Sequence, residues 1–172
     1  MMRMLSAGGM PVLVDGERGA DEDNPGGYYE LEQVKRTRQD SSWLAQAPGK
    51  AVKVIYLLLS DLPAAYQYRV LFMSRRLEEV MASQRLMLAR RGIAPSDDQD
   101  EQRVAGLLSG HAEQIKVRLM KLPNFKLLDV SYNALLADPR QSAEAVQKFL
   151  AIELDLARMT SVVDPALYRQ RG

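Results

Sequence analysis

The chain has 172 residues, 47% hydrophobic and 26% charged, with no cysteine and a single histidine, His111. That length suits one domain over residues 1–172 with a core that needs no covalent staples, and the composition excludes disulfides, Cys-ligated zinc or iron–sulfur centres, thiol chemistry and a His-rich metal site within one chain. Basic and acidic residues number 23 and 22, for a net charge of +1, so no long-range field draws the chain to nucleic acid or to an anionic membrane.

The N-terminal stretch MMRMLSAGGMPVLV is broken by Gly8, Gly9 and Pro11 before a signal-type apolar segment forms. The longest apolar run, Val54–Leu59, falls far short of the roughly 20 residues a bilayer span needs. A cytoplasmic protein with no membrane span is expected.

Four short apolar runs predict strands: Pro11–Val14, Ala51–Tyr56, Tyr68–Met73 and Phe125–Ser131. Several are continuous rather than alternating, which suits strands covered on both faces. Helical segments between them favour βαβ units and an α/β fold, a parallel sheet with flanking helices. Between the first two runs, Asp15 to Gly27 holds four glycines, one proline and five carboxylates, a loop by composition and a long one.

After the third run, Leu77, Val80, Met81 and Leu88 repeat on one face of a predicted helix from Arg76 to Arg91, stopped at Gly92. Ser96-Asp97-Asp98-Gln99 reads as a capping box opening a helix to about Lys121, weakened in its middle by Gly106 and Gly110. Asp138-Pro139-Arg140-Gln141 supplies an N-cap, a proline at the first helical position and a glutamine at the third. The helix that follows turns Ala143, Val146, Phe149 and Leu150 inward. Asp164-Pro165 opens a last short turn.

The junction after Tyr68–Met73 carries the most chemistry. Ligands of open α/β sheets bind outside the carboxyl ends of the strands, and Arg75 and Arg76 leave a strand there, ahead of a helix N-terminus. Two readings stand side by side: an anion site, with Ser83 two turns on adding a hydroxyl, or solvated arginines paired with Glu78 and Glu79.

Arg75, Glu79 and Ser83 form the pattern R-x-x-x-D/E-x-x-x-S directly after an apolar strand. It resembles the 3′-phosphate-binding segment of sulfotransferases that use PAPS (3′-phosphoadenosine 5′-phosphosulfate), with Leu77 where the family has proline. Tyr132 to Pro139, YNALLADP, is similar to the family's Y-E-x-L-x-x-D-P segment, with Asn133 in place of glutamate. Phe149-Leu150 matches the F-L of the next helix. Asp23 to Glu30 and Val163 to Arg169 are similar to segments of bacterial sulfotransferase-like proteins.

The resemblance implies a P-loop nucleoside-triphosphate-hydrolase-like fold of the sulfotransferase type. It implies PAPS as co-substrate, no metal, and a small-molecule or carbohydrate acceptor with a hydroxyl or amine. Arg75 and Ser83 are then the cofactor-binding residues. The family's opening strand and its G-x-P-R-S-G-T-S loop are absent, and Met1–Leu5 reads like the middle of the helix that should follow them. The domain is thus expected to be N-terminally incomplete and poorly stable, because that strand lies inside the family's sheet.

The family's catalytic histidine, within K-T-H-L-P, has no counterpart in Lys53-Val54-Ile55-Tyr56. In other branches of the family a glutamate in the loop before an aromatic pair serves as base, and by that resemblance Asp23 and Glu30 are the candidates; the alternative is a solvated acidic loop with turn-capping residues. Lys53 lies in an apolar run and either stabilises the bridging oxygen of the sulfuryl donor or snorkels to the sheet end. His111 reads as a surface residue, Trp43 as a core anchor or as acceptor lining, and the methionines as packing. The rivals to a sulfotransferase are a non-catalytic remnant of that family and a nucleotide-binding kinase-like domain. The latter is disfavoured because G-x-x-x-x-G-K-S/T is missing.

Overall fold

Two seven-residue strands, β1 (Tyr68–Ser74) and β2 (Phe125–Ser131), pair in parallel with Tyr68 opposite Phe125 and Ser74 opposite Ser131. They belong to a computed structural model that describes residues 1–21, 24, 26–76, 78–82, 85, 92 and 98–164. Parallel strands need a long crossover rather than a hairpin. Here it includes a helical stretch at 78–82 and the helix α2 (Asp98–Met120). The other helices are α1 (Met2–Ala7), α3 (Tyr132–Ala137), α4 (Pro139–Leu150) and α5 (Leu156–Ser161). The fold is mixed α/β, a two-strand parallel sheet flanked by helices.

The two later strand expectations match β1 and β2 closely, and the two earlier ones do not form strands. Pro11–Val14 and Ala51–Tyr56 meet only at an isolated parallel bridge between Val12 and Ala51. A strand persists only while a neighbour supplies its ladder, and past Ala51 no partner continues it among the described residues. Residues 52–55 stay outside regular structure, with Val52 and Val54 turned to a core and Lys53 and Ile55 exposed. That alternation belongs to a segment covered on one face, not two. Tyr56 then starts a 3₁₀ turn, Tyr56–Asp61.

Helix starts follow their local signals. Asp138 caps α4 by accepting the Gln141 N–H at 2.9 Å, with Pro139 at the first helical position. Ala143, Val146 and Leu150 are buried from α4, and Phe149 is half-buried. Asp155 caps α5 in the same way through the Arg158 N–H at 2.9 Å. The end of α2 at Met120 falls one residue before the expected Lys121, and Gly106 and Gly110 sit exposed within it. The Ser96-Asp97 part of the expected capping box, most of the helix expected over 76–91 and the turn after Asp164 lie outside the described residues.

Among the described residues, apolar side chains collect in three clusters. The largest joins Met4 and Leu5 of α1, Val130 of β2, Leu135 of α3, Val146 of α4 and Met159 of α5. A second holds Trp43, buried as the core anchor expected, with Leu31, Val34 and Leu44; its indole N–H donates to Thr37 Oγ1 at 3.1 Å. The third packs Ile115 and Leu119 of α2 against Leu59 and Phe125. His111 is exposed on α2, edge-on to the Tyr56 ring with 5.9 Å between centroids.

Candidate functional site at the carboxyl ends of the two strands

Because β1 and β2 run parallel and in register, their exits lie side by side. Ser74-Arg75-Arg76 leaves one and Ser131-Tyr132-Asn133 leaves the other. A cleft of about 540 Å³ opens between these exits. Ser74, Arg75 and Arg76 line one wall, and Ser131, Asn133, Ala134 and Ala137 the other. This is the strand end at which ligands of α/β sheets collect.

The polar groups around the cleft are organised in two sets. In the first, Arg75 Nε donates to Glu79 Oε2 at 2.9 Å, and Asn133 Nδ2 donates to Glu79 Oε1 at 2.7 Å. Glu79 is only 3% exposed. The Arg75 guanidinium carbon sits 5.0 Å from the centroid of the Tyr132 ring, within cation–π range. Arg76 is exposed beside it. The expected pairing of Arg75 with Glu79 is formed, and Arg75 so held still lines the cleft.

The second set runs from the cleft into the flank of the sheet. Ser74 Oγ donates to Asp129 Oδ1 at 2.8 Å, and Asp129 also pairs with Lys116. Lys116, buried on α2, bonds Glu113 at 2.6 Å and lies 5.1 Å from the Phe72 ring centroid. Burial works to raise the Asp129 pKa, but hydrogen bonds from Lys116 and Ser74 and the Lys116 charge outweigh it, holding Asp129 below the usual carboxylate value. Burial likewise works to lower the Lys116 pKa, and its bonds to Asp129 and Glu113 overcome that and raise it.

Two of the three catalytic candidates lie elsewhere. Lys53 Nζ donates to Glu30 Oε1 and to the Tyr28 carbonyl, each at 3.1 Å. Arg18 approaches the other side of Glu30 at 3.7 Å and stacks over the Tyr28 ring, 3.3 Å from its centroid. Neither Glu30 nor Lys53 lines the cleft. Lys53 escapes the apolar run by pointing outward, the snorkelling alternative. Asp23 and Ser83 lie outside the described residues.

Ser74, Asp129 and Asn133 were not assigned roles from the sequence. A signal existed for one of them. Asp129 interrupts the apolar run FKLLDVS, and a carboxylate there demands a partner. The Asn133 side-chain amide donates to Glu79, where a carboxylate at 133 would face a second carboxylate. Among the described residues no three His, Asp or Glu side chains gather as a metal site, and no helix is long and apolar enough to cross a membrane. No protein-family model, no curated protein and no solved structure matches the chain.

Proposed function

We propose that the chain is a sulfotransferase-like domain of the P-loop nucleoside-triphosphate-hydrolase type. Its cleft binds the 3′-phosphate of PAPS, or of the adenosine 3′,5′-bisphosphate left after transfer. The observation behind this is Arg75. It leaves a parallel strand at its carboxyl end, lines the cleft beside Arg76, and is anchored to Glu79 at 2.9 Å. An arginine with its guanidinium held in place offers a planar fork suited to phosphate oxygens.

In the full reaction a hydroxyl or amine of a small-molecule or carbohydrate acceptor attacks the sulfur of PAPS. The S–O bond to the 5′-phosphate breaks as the bond to the acceptor forms, and a base takes the acceptor proton. The sequence has no G-x-P-R-S-G-T-S loop, so the role assigned to this chain is the 3′-phosphate end of the nucleotide.

A second reading, a binding module that performs no transfer, is favoured by one feature. The carboxylate candidate Glu30 is neutralised by Lys53 and Arg18 and does not line the cleft.

Calorimetric titration with adenosine 3′,5′-bisphosphate tests the site. Wild type is expected to bind, and Arg75→Ala to bind more than about tenfold more weakly, the effect of losing a charge-assisted contact. Equal affinity in the two removes Arg75 from the site. Transfer of sulfate from PAPS to an acceptor panel then separates enzyme from module.

A further inference from the structure

The geometry points to Glu79 and Asn133 as a positioning pair that sets the orientation of Arg75 for an anion in the cleft. The inference rests on the nucleotide reading above for its ligand, and on the side-chain geometry alone for the coupling itself.

Glu79 is nearly inaccessible to solvent, and a carboxylate so placed is costly unless its oxygens are bonded. Both are. Oε2 takes the Nε–H of Arg75, four residues back, and Oε1 takes the side-chain amide of Asn133, which lies 54 residues away at the start of α3. Glu79 thus ties the exit of β1 to the exit of β2. Arg75 is gripped by its Nε edge, with the Tyr132 ring on its flank. Arg75 and Asn133 both line the cleft, so the bonded chain Arg75–Glu79–Asn133 spans its two walls. An arginine immobilised before the ligand arrives gives up less rotamer freedom on binding, and its affinity for an anion rises accordingly.

A competing view makes Glu79 a mere counter-charge that weakens the attraction of Arg75 for anions. The two views predict opposite signs for Glu79→Gln, which preserves shape and removes the charge. Positioning predicts weaker binding, because a neutral amide grips the guanidinium less firmly. Counter-charge predicts tighter binding.

The experiment measures adenosine 3′,5′-bisphosphate affinity for wild type, Glu79→Gln, Asn133→Ala and Arg75→Ala, and for each of the first two changes combined with Arg75→Ala. Glu79→Gln and Asn133→Ala are each expected to weaken binding about three- to tenfold, and to have no further effect once Arg75 is alanine. Tighter or unchanged binding, or the same loss in the Arg75→Ala background, overturns the inference. Near-UV circular dichroism establishes that each variant is folded; Asn133, half-buried, carries the test if Glu79→Gln does not fold.

A ligand-free arm follows the Arg75 Nε–Hε resonance, assigned by its loss in Arg75→Ala. Asn133→Ala is expected to speed its exchange with solvent, although Asn133 is not the group bonded to Nε; unchanged exchange overturns the coupling. If wild type fails to bind the nucleotide, the functional reading falls, and this arm alone decides whether Asn133 steadies Arg75 through Glu79.

Discussion

Lys53 and Glu30, 23 residues apart in the chain, meet as an ion pair with Nζ 3.1 Å from Oε1. The side chains are 43% and 23% exposed, and Arg18 shares the glutamate. Two residues singled out for chemistry on separate grounds thus occupy each other, and neither lines the cleft at the strand ends.

From that geometry, Lys53→Met and Glu30→Gln are expected to leave nucleotide affinity within about twofold of wild type. Each should shift stability by no more than about 1 kcal/mol, the range for partly exposed ion pairs. Calorimetric titration and urea unfolding check both numbers. A tenfold loss of affinity in either variant would place this cluster at the nucleotide after all.

Asp129 makes stability depend on acid. Its folded pKa lies below the ordinary value of 3.8, so the unfolded chain takes up a proton first as pH falls. The stabilisation it provides is complete above the ordinary value and disappears as pH drops through the folded value. Asp129→Asn should therefore flatten the acid limb of a plot of unfolding free energy against pH, between about pH 5 and 2. Parallel acid limbs in variant and parent would show that the bonds from Lys116 and Ser74 do not survive in solution.

At the alkaline end the relevant group is Tyr68. Burial pushes its pKa from 10.0 up to about 12, with Tyr66 nearby adding to the shift. Its hydroxyl also donates to the Pro63 carbonyl at 2.7 Å. The folded protein holds this proton longer than the unfolded chain does, so the contribution is intact below pH 10 and is lost as pH rises from 10 to 12. Phenolate absorbance near 295 nm should show a late-titrating tyrosine among the seven, missing in Tyr68→Phe. Titration of every tyrosine near pH 10 would contradict the buried setting.

Gly8 closes α1 against α5. A Cβ at this position would stand 2.6 Å from Met159 Cγ and 3.3 Å from the Met4 carbonyl, and Met4 and Met159 are both almost wholly buried. The backbone there has φ −73°, which alanine accepts, so the penalty is packing alone. Gly8→Ala is expected to cost about 1–3 kcal/mol. Combined with Met159→Ala, which removes the obstructing atoms, its cost should shrink markedly, giving a less than additive pair. Additive losses in chemical denaturation would mean that α1 and α5 do not touch here.

Short-range rules, read from the sequence, located the elements whose cause is local. Phe125–Ser131 is a strand at the residues its apolar run marks, and Asp138-Pro139 starts a helix that buries Ala143, Val146 and Leu150 as its periodicity requires. Caps, proline and hydrophobic period act within a turn or two, and neighbours in sequence suffice to read them. The fate of Pro11–Val14 and Ala51–Tyr56 was not local. A ladder needs a partner along its whole length, and among the described residues the tertiary arrangement supplies one only where Val12 meets Ala51.

The candidate site divides in the same way. Arg75 at the end of a strand was legible, because strand, arginine and acidic residue adjoin in the chain. The tie between Glu79 and Asn133, the Ser74–Asp129–Lys116 chain and the pairing of Lys53 with Glu30 join residues 13 to 55 positions apart along the chain. Which of many possible charge partners meet across such distances is set by the parallel register of β1 and β2 and by the packing of α2, and the fold alone decides it.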